Sequence, residues 1–192
     1  MVSNSITAKQ RPFPIATIMI PGMDGIIGVT SCPGMKDETA CLDLYEEKLM
    51  NDLQTIRNWG AVAVVTLLDD LEIRILGASD LPNTADWLNL LWFHLPIGNR
   101  GLPGPNFEEL WEVAGPRLCQ LLREGKRIVV HCKEGIGRSA LIAARLLIDL
   151  GIPAEKAIKV VRKVKPESLQ LYSQEKYCYS LSSDSRAAKE DS

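Results

Sequence analysis

The chain has 192 residues, of which 46% are hydrophobic and 24% charged, and its formal net charge at pH 7 is −2. This size and composition predict one globular domain, spanning residues 1–192, that buries a sizeable core. A net charge so close to zero gives no overall attraction for nucleic acid or anionic membranes. Any affinity for phosphate must therefore come from a local arrangement of residues.

The cysteines and the N-terminal residues indicate a cellular compartment. Five cysteines are scattered along the chain without the spacing of metal ligands, which favours reduced thiols over a disulfide framework or a zinc site. No apolar stretch resembles a secretion signal, and no run is long enough to span a membrane. The sequence thus predicts a cytoplasmic protein with no membrane span and no nucleic acid partner.

Apolar periodicity predicts alternating strands and helices in the first half of the chain. Residues 1–11 are polar and expected to be loose, and two short strands are expected at 12–20 and 25–30. Residues 39–60 carry apolar side chains at helical spacing, which predicts an amphipathic helix. The continuous apolar run at 61–68 is typical of a central strand that is covered on both faces.

The second half continues this alternation. Glycine and proline are dense at residues 96–105, which predicts a loop, and Asn106 is expected to cap the helix that follows. The other predicted elements are helical turns at 82–89, strands at 90–95 and 126–131, helices at 107–124, 139–150, 154–165 and 167–181, and a loose tail at 182–192. The predicted core covers about residues 13–181.

Strands that alternate with helices predict an α/β fold with a central, mostly parallel sheet and helices on both faces. Such sheets bind ligands beyond the carboxyl ends of their strands. Two groups of residues lie at predicted strand ends. Asp69 and Asp70 follow one strand, and Cys132 follows another.

The segment from Cys132 to Ser139 has the pattern of an anion-binding loop. A β-branched strand stops at Cys132, two glycines lie among the five residues before Arg138, and a helical pattern starts at Ser139. A glycine-bearing loop between a strand and a helix N-terminus points its backbone N–H groups inward, where the helix dipole adds positive potential. In such surroundings a cysteine is a thiolate at neutral pH, and an arginine can bind phosphate through two N–H groups.

This Cys-x5-Arg-Ser loop resembles the signature of the cysteine-dependent protein tyrosine and dual-specificity phosphatases. Three further segments resemble one branch, the phosphatase family associated with cyclin-dependent kinases, and extend the likeness over about residues 13–181. They are the turn at 30–34 (TSCPG), the strand that ends in His94-x-Pro96-Ile97, and Gln174 in the last helix. The resemblance implies a phosphotyrosine-phosphatase-like fold.

The loop residues suit phosphate-ester chemistry. Phosphate is expected to bind the backbone N–H groups of Lys133, Glu134, Gly135, Ile136, Gly137 and Arg138, together with the Arg138 guanidinium. Cys132 would attack phosphorus to give a phosphocysteine, and the Ser139 hydroxyl would ease departure of the sulfur when water hydrolyses it. The resemblance implies that Gln174 positions this water. We expect neither a metal nor another cofactor to be required.

The proton donor for the leaving oxygen departs from the family pattern. Family members usually carry an aspartate on a loop before the cysteine, and the resemblance places that position at Asn99. An amide can hydrogen-bond the leaving oxygen but cannot protonate it, which predicts a slow enzyme that favours phosphotyrosine and other aryl phosphates. Asp69, Asp70 and Glu134 are alternative acids, although Glu134 is also expected as an outward-facing surface residue.

The leading interpretation is therefore a phosphotyrosine or dual-specificity protein phosphatase that acts on a phosphorylated protein. Two other functions are compatible with the sequence. The same loop serves phosphoinositide and nucleotide phosphatases, and Lys133 could meet a second phosphate. A weakly active phosphate-binding module would explain Asn99, but it would leave the intact Cys132, Arg138 and Ser139 without a purpose.

Overall fold

A computed structural model describes residues 13–35, 43–98 and 101–190 of the chain; within these ranges, the side chains of 43–46 and 182–190 are not described. The described strands form one five-stranded sheet in the order β1-β2-β5-β3-β4. β1 pairs antiparallel with β2, and the other strand pairs are parallel. The strands are β1 (Ala16–Met19), β2 (Ile26–Thr30), β3 (Ala61–Thr66), β4 (Leu91–His94) and β5 (Arg127–His131).

Helices cover both faces of this sheet. The helices are α1 (Asp43–Asn58), α2 (Asp70–Ile75), α3 (Leu81–Trp87), α4 (Pro105–Arg123), α5 (Arg138–Asp149), α6 (Ala154–Val164) and α7 (Tyr172–Glu190). Apolar residues of α1, α2 and α3 form one core cluster, and those of α4 to α7 form a second. The predicted α/β architecture, a mostly parallel sheet between two helical layers, is confirmed.

The central strand β5 positions the nucleophile loop. Its side chains alternate between the two cores, since Ile128 and Val130 join the α4–α7 cluster and Val129 joins the α1–α3 cluster. Helix α5 follows the loop, and its residues from Arg138 to Ile148 are all buried. The loop is thus held between the buried end of a strand and the buried start of a helix, which limits its motion.

Several predicted boundaries differ from the structure. The short helix α2 covers Asp70–Ile75, although the sequence pattern of residues 73–77 is ambiguous. Asn106 is not the cap of α4: the helix begins at Pro105 with Gly104 as its N-cap, because proline suits the first helical turn. The last helix starts at Tyr172 and continues to Glu190, so it includes much of the segment that the sequence predicts as a loose tail.

The remaining predictions concern the N-terminal part of the chain, membrane spans and metal sites. The N-terminal residues 1–11 and the first part of the helix predicted at 39–60 lie outside the described residues. None of the described helices combines the length and the apolar character that a membrane crossing needs. Within the same described ranges, no cluster of three or more His, Cys, Asp or Glu side chains is arranged to bind a metal.

Candidate active site

The Cys132 thiol lies at the floor of the loop that joins β5 to α5. Its side chain is only 3% exposed. The backbone N–H of Gly135 donates to Sγ across 3.3 Å, and Ser139 Oγ lies 3.4 Å from Sγ. Two polar groups thus already point at the sulfur, an arrangement that stabilises negative charge on it. The predicted proximity of Ser139 to the nucleophile is seen directly in these distances.

The loop is pressed against the end of β2. The backbone N–H of Cys32 donates to the carbonyl of Lys133 across 3.1 Å. Gly135 has φ +72°, and a Cβ at this position would lie 2.6 Å from the carbonyl carbon of Thr30. Glycine is therefore required at this point both for its backbone conformation and for the close approach of the Thr30–Ser31 backbone.

Arg138 is held in place by a carboxylate from α2. Its Nη1 and Nη2 donate to the two Glu72 carboxylate oxygens across 2.6 and 2.8 Å, and Nη1 also donates to the carbonyl of Ile97 across 2.7 Å. Burial would lower the pKa of Arg138, but the hydrogen bonds and the charge of Glu72 outweigh it and raise the pKa. The described contacts leave Nε–H and the second Nη2–H available, and these form the edge that can bind two phosphate oxygens.

Glu72 is a site residue that the sequence prediction missed. Asp69 is the N-cap of α2: its carboxylate accepts from the Glu72 N–H across 2.8 Å, and Glu72 in turn accepts from the Asp69 N–H across 3.3 Å. This reciprocal capping box fixes the start of α2 and holds the carboxylate that binds Arg138. The Asp69-x-x-Glu72 spacing was the available signal, although it predicts only a helix N-terminus and not a contact with Arg138.

His131, which precedes the nucleophile, is fully buried beside polar groups of neighbouring strands. Its Nε2 lies 2.8 Å from Thr66 Oγ1, which also accepts a hydrogen bond from Trp92 Nε1 across 2.8 Å. Burial lowers the pKa of His131 to about 3, and the positive charge of Arg138 acts in the same direction, while the polar backbone of the adjoining Cys132 acts in the opposite direction. The imidazole is therefore neutral at physiological pH.

The other predicted site residues have no described hydrogen bond to Cys132 or lie outside the described part of the chain. Asn99 lies outside the described residues, and so does Arg100 beside it. The side chains of Lys133 and Glu134 are exposed, whereas Ile136 and Gly137 are partly covered. Asp70 is exposed in the first turn of α2, and Gln174, only 8% exposed, lies in the first turn of α7. No described hydrogen bond joins Asp69, Asp70 or Gln174 to Cys132, so their catalytic roles stay predictions.

Comparison with known proteins gives the family of this chain. The family model described as cyclin-dependent kinase inhibitor 3 (CDKN3) matches residues 4–158. The chain belongs to the CDKN3 family. It is 24% identical to cyclin-dependent kinase inhibitor 3 of Rattus norvegicus over 161 residues, which cover 82% of this chain and 72% of the relative. A shorter match, 35% identical over 63 residues, links it to tyrosine-protein phosphatase CDC14 of Candida albicans, covering 32% of this chain and 11% of that protein.

Solved structures agree with the CDKN3 assignment at the level of the fold. A crystal structure of kinase-associated phosphatase, in which serine replaces the catalytic-site cysteine, superposes with a TM-score of 0.79 at 20% identity. The match covers 92% of this chain and 97% of that structure. The CDKN3 family, its phosphatase relatives and the described loop together identify the chain as a cysteine-dependent phosphatase, a hydrolase of phosphoric monoesters.

Proposed function

We propose that this CDKN3-family chain hydrolyses phosphotyrosine in proteins through a phosphocysteine intermediate. The observation that carries the proposal is the placement of Cys132 Sγ between the Gly135 N–H and the Ser139 hydroxyl, on a loop whose Arg138 is fixed by Glu72. A buried sulfur with convergent donors and an oriented guanidinium suits attack on a phosphate dianion.

In the first step, Cys132 attacks phosphorus as a thiolate while the phosphorus–oxygen bond to the leaving group breaks. The free N–H edge of Arg138 and the loop N–H groups bind the three equatorial oxygens, whose charge develops in the transition state. Because Glu72 and the Ile97 carbonyl hold the other N–H groups of Arg138, the guanidinium need not reorganise when phosphate enters. The products of this step are a phosphocysteine and the leaving alkoxide or phenolate, which then takes up a proton from water.

The leaving group decides which substrates react well. The family resemblance places Asn99 at the position of the usual loop acid, and because its amide cannot protonate the leaving oxygen, we propose that this oxygen departs as an anion. A phenolate, with a pKa of about 10, is a far better leaving group than a serine or threonine alkoxide. We therefore propose a preference for phosphotyrosine. Two relatives support this by name, since one is called a tyrosine-protein phosphatase and the other a dual specificity protein phosphatase.

In the second step, water attacks phosphorus and the Cys132 sulfur leaves. Ser139 Oγ, 3.4 Å from Sγ, can donate a hydrogen bond to the sulfur as negative charge returns to it. The family resemblance suggests Gln174 for orienting the water, and its position in the first turn of α7 is compatible with a fixed side chain. Inorganic phosphate is then released and the thiolate is restored.

The substrate is proposed to be a phosphorylated protein in the cytoplasm. Support comes from the relatives, whose names refer to cyclin-dependent kinases and to a kinase-associated phosphatase. A panel of phosphotyrosine peptides, phosphothreonine peptides, phosphoinositides and nucleotides tests this. Turnover of phosphoinositides or nucleotides well above that of the peptides would favour those substrates instead.

A series of aryl phosphates with leaving groups of different pKa tests the chemistry. We expect wild type to turn them over, Cys132→Ser to be inactive, and wild-type kcat to fall steeply as the leaving-group pKa rises. Asn99→Asp should raise kcat for the poorest leaving groups by roughly 10²-fold, the usual contribution of a general acid. A wild-type kcat that is independent of the leaving group and is lost in Asp69→Asn or Asp70→Asn would instead identify another acid. No turnover of any substrate would favour a binding module.

A further inference from the structure

Three polar side chains from neighbouring strands meet behind the nucleophile loop. Thr66 ends β3, His131 ends β5, and Trp92 lies on β4. Both hydrogen bonds of the group end on one atom: Trp92 Nε1 and His131 Nε2 each lie 2.8 Å from Thr66 Oγ1. Because Thr66 and His131 are both 0% exposed, their polar atoms have no access to bulk water.

The direction of one of these bonds is fixed by chemistry. An indole N–H can only donate, so the Thr66 oxygen accepts from Trp92. The Thr66 hydroxyl still carries its own proton, which needs an acceptor once it is buried. Among the described residues, His131 Nε2 is the one acceptor within hydrogen-bonding distance of that hydroxyl.

The two neutral tautomers of His131 differ in how many buried groups they leave unpaired. With the proton on Nε2, the Thr66 hydroxyl proton and the Nδ1 lone pair would both lack partners. With the proton on Nδ1, Nε2 accepts from Thr66, and only the Nδ1–H remains, since Nδ1 has no hydrogen-bond partner in the described part of the chain. The second arrangement satisfies more buried groups, and the lowered pKa of His131 excludes the doubly protonated ring at neutral pH.

We propose that Thr66, itself oriented by the indole of Trp92, is a positioning residue that fixes His131 as the Nδ1–H tautomer. The ring then presents an N–H on the side away from Thr66, toward the backbone of the adjoining Cys132, where the loop begins. Thr66 thereby sets the orientation of the first peptide of the phosphate loop. This consequence for catalysis rests on the proposed function, whereas the tautomer itself does not.

The chain contains an internal reference for measuring the tautomer. It has two histidines, and His94 Nε2 lies 2.8 Å from the carbonyl oxygen of Leu68, which can only accept. In its neutral form His94 is therefore the Nε2–H tautomer. A two-bond ¹⁵N–¹H spectrum of the full chain with ¹⁵N-labelled histidine, recorded at alkaline pH so that both rings are neutral, should show two imidazoles of opposite tautomer, assigned with the variant His94→Gln. A wild-type His131 in the Nε2–H form would overturn the proposal.

Variants of Thr66 connect the tautomer to activity. Thr66→Val removes the hydroxyl, and we expect a mixture of His131 tautomers and a fall in kcat for an aryl phosphate of about tenfold, the rate equivalent of one hydrogen bond. Thr66→Ser, which keeps the hydroxyl, should retain the wild-type tautomer and rate. Trp92→Phe should move the His131 Nε2 resonance in the same direction as Thr66→Val, by a smaller amount.

Two results would contradict the proposal. One is an unchanged His131 spectrum in Thr66→Val, whatever happens to the rate; the other is a tautomer in Thr66→Ser that differs from wild type. If Thr66→Val does not fold, the wild-type spectrum and the His131 Nε2 resonance of Trp92→Phe still test the proposed tautomer. If wild type hydrolyses no phosphate ester, the proposed function fails, while the histidine spectra test the tautomer independently of turnover.

Discussion

The guanidinium of Arg138 reaches its position through Glu72, a residue on another helix. Two charge-assisted hydrogen bonds of 2.6 and 2.8 Å hold it, and both side chains are largely buried. Glu72→Gln removes the charge and leaves one acceptor oxygen, so Arg138 loses its fixed orientation toward phosphate. We expect kcat/KM for an aryl phosphate to fall by roughly 10- to 100-fold, because a hydrogen bond to a charged group contributes about 1.5–3 kcal/mol.

The matched control for this prediction is Glu109→Gln. Glu109 is exposed on α4, and the same change of charge there should leave kcat/KM within about twofold of wild type. Steady-state kinetics and a thermal unfolding curve of each variant separate lost catalysis from lost folding. Equal kcat/KM for Glu72→Gln and wild type would show that Arg138 orients itself without the carboxylate.

At the residue scale, the sequence predicts the site residues that lie close together in the chain. Cys132, Arg138 and Ser139 follow from the spacing of a single loop, since all three lie within the eight residues from 132 to 139. The contacts that hold these residues cannot be predicted from the loop, because Glu72 lies 66 residues from Arg138 in the chain and Thr66 lies 65 residues from His131. Such pairs depend on the order of strands in the sheet, which no local pattern specifies.

At the scale of elements, the phosphate loop depends on one glycine. Gly135 has φ +72°, and a Cβ would approach the Thr30 backbone to 2.6 Å. Gly135→Ala must therefore strain the backbone and push the loop away from β2. We expect the free energy of unfolding to fall by at least about 2 kcal/mol, with loss of the hydrogen bond from the residue 135 N–H to Cys132 Sγ and of most activity.

Gly137→Ala is the matched control for stability. Gly137 has φ −88°, and a Cβ there meets nothing within 4 Å. Chemical denaturation should place this variant within about 1 kcal/mol of wild type. If the two alanine variants are equally stable, the loop is free to shift away from Thr30 and the close approach is not a constraint.

The elements themselves were largely predictable, and the exceptions have physical reasons. The apolar runs that became β3 and β5 are covered on both faces, which gives continuous hydrophobic segments. Helix α2 has only six residues, too few for a periodic pattern to appear, and it is fixed by its capping box and its ion pair. Helix α4 begins at Pro105, before the start predicted at residue 107, because Gly104 caps it through its backbone conformation and without a side-chain hydrogen bond.

At the scale of the whole molecule, the buried His131 makes folding depend on pH. Burial lowers its pKa to about 3 in the folded chain, whereas an unfolded imidazole titrates near 6.5. Between these values the unfolded state binds a proton that the folded state does not, so stability is full above pH 6.5 and declines as pH falls toward 3. From His131 we expect a loss of about 2 kcal/mol between pH 7 and pH 5.

Buried carboxylates act in the opposite direction. Burial raises the pKa values of Asp52 and Asp149, so their contribution to stability is largest at low pH and declines as pH rises. These groups are common to wild type and His131→Gln, a variant whose side chain cannot titrate. The difference between the two proteins in the pH dependence of unfolding therefore isolates His131.

Urea unfolding followed by circular dichroism at pH 5, 6 and 7 measures this difference. Wild type should lose about 2 kcal/mol more than His131→Gln between pH 7 and pH 5, because only wild type takes up the extra proton on unfolding. The absolute stability of His131→Gln is immaterial, since the pH dependence is the quantity compared. Parallel curves would mean that His131 is protonated while the chain is still folded, and the neutral ring behind Cys132 would then be wrong.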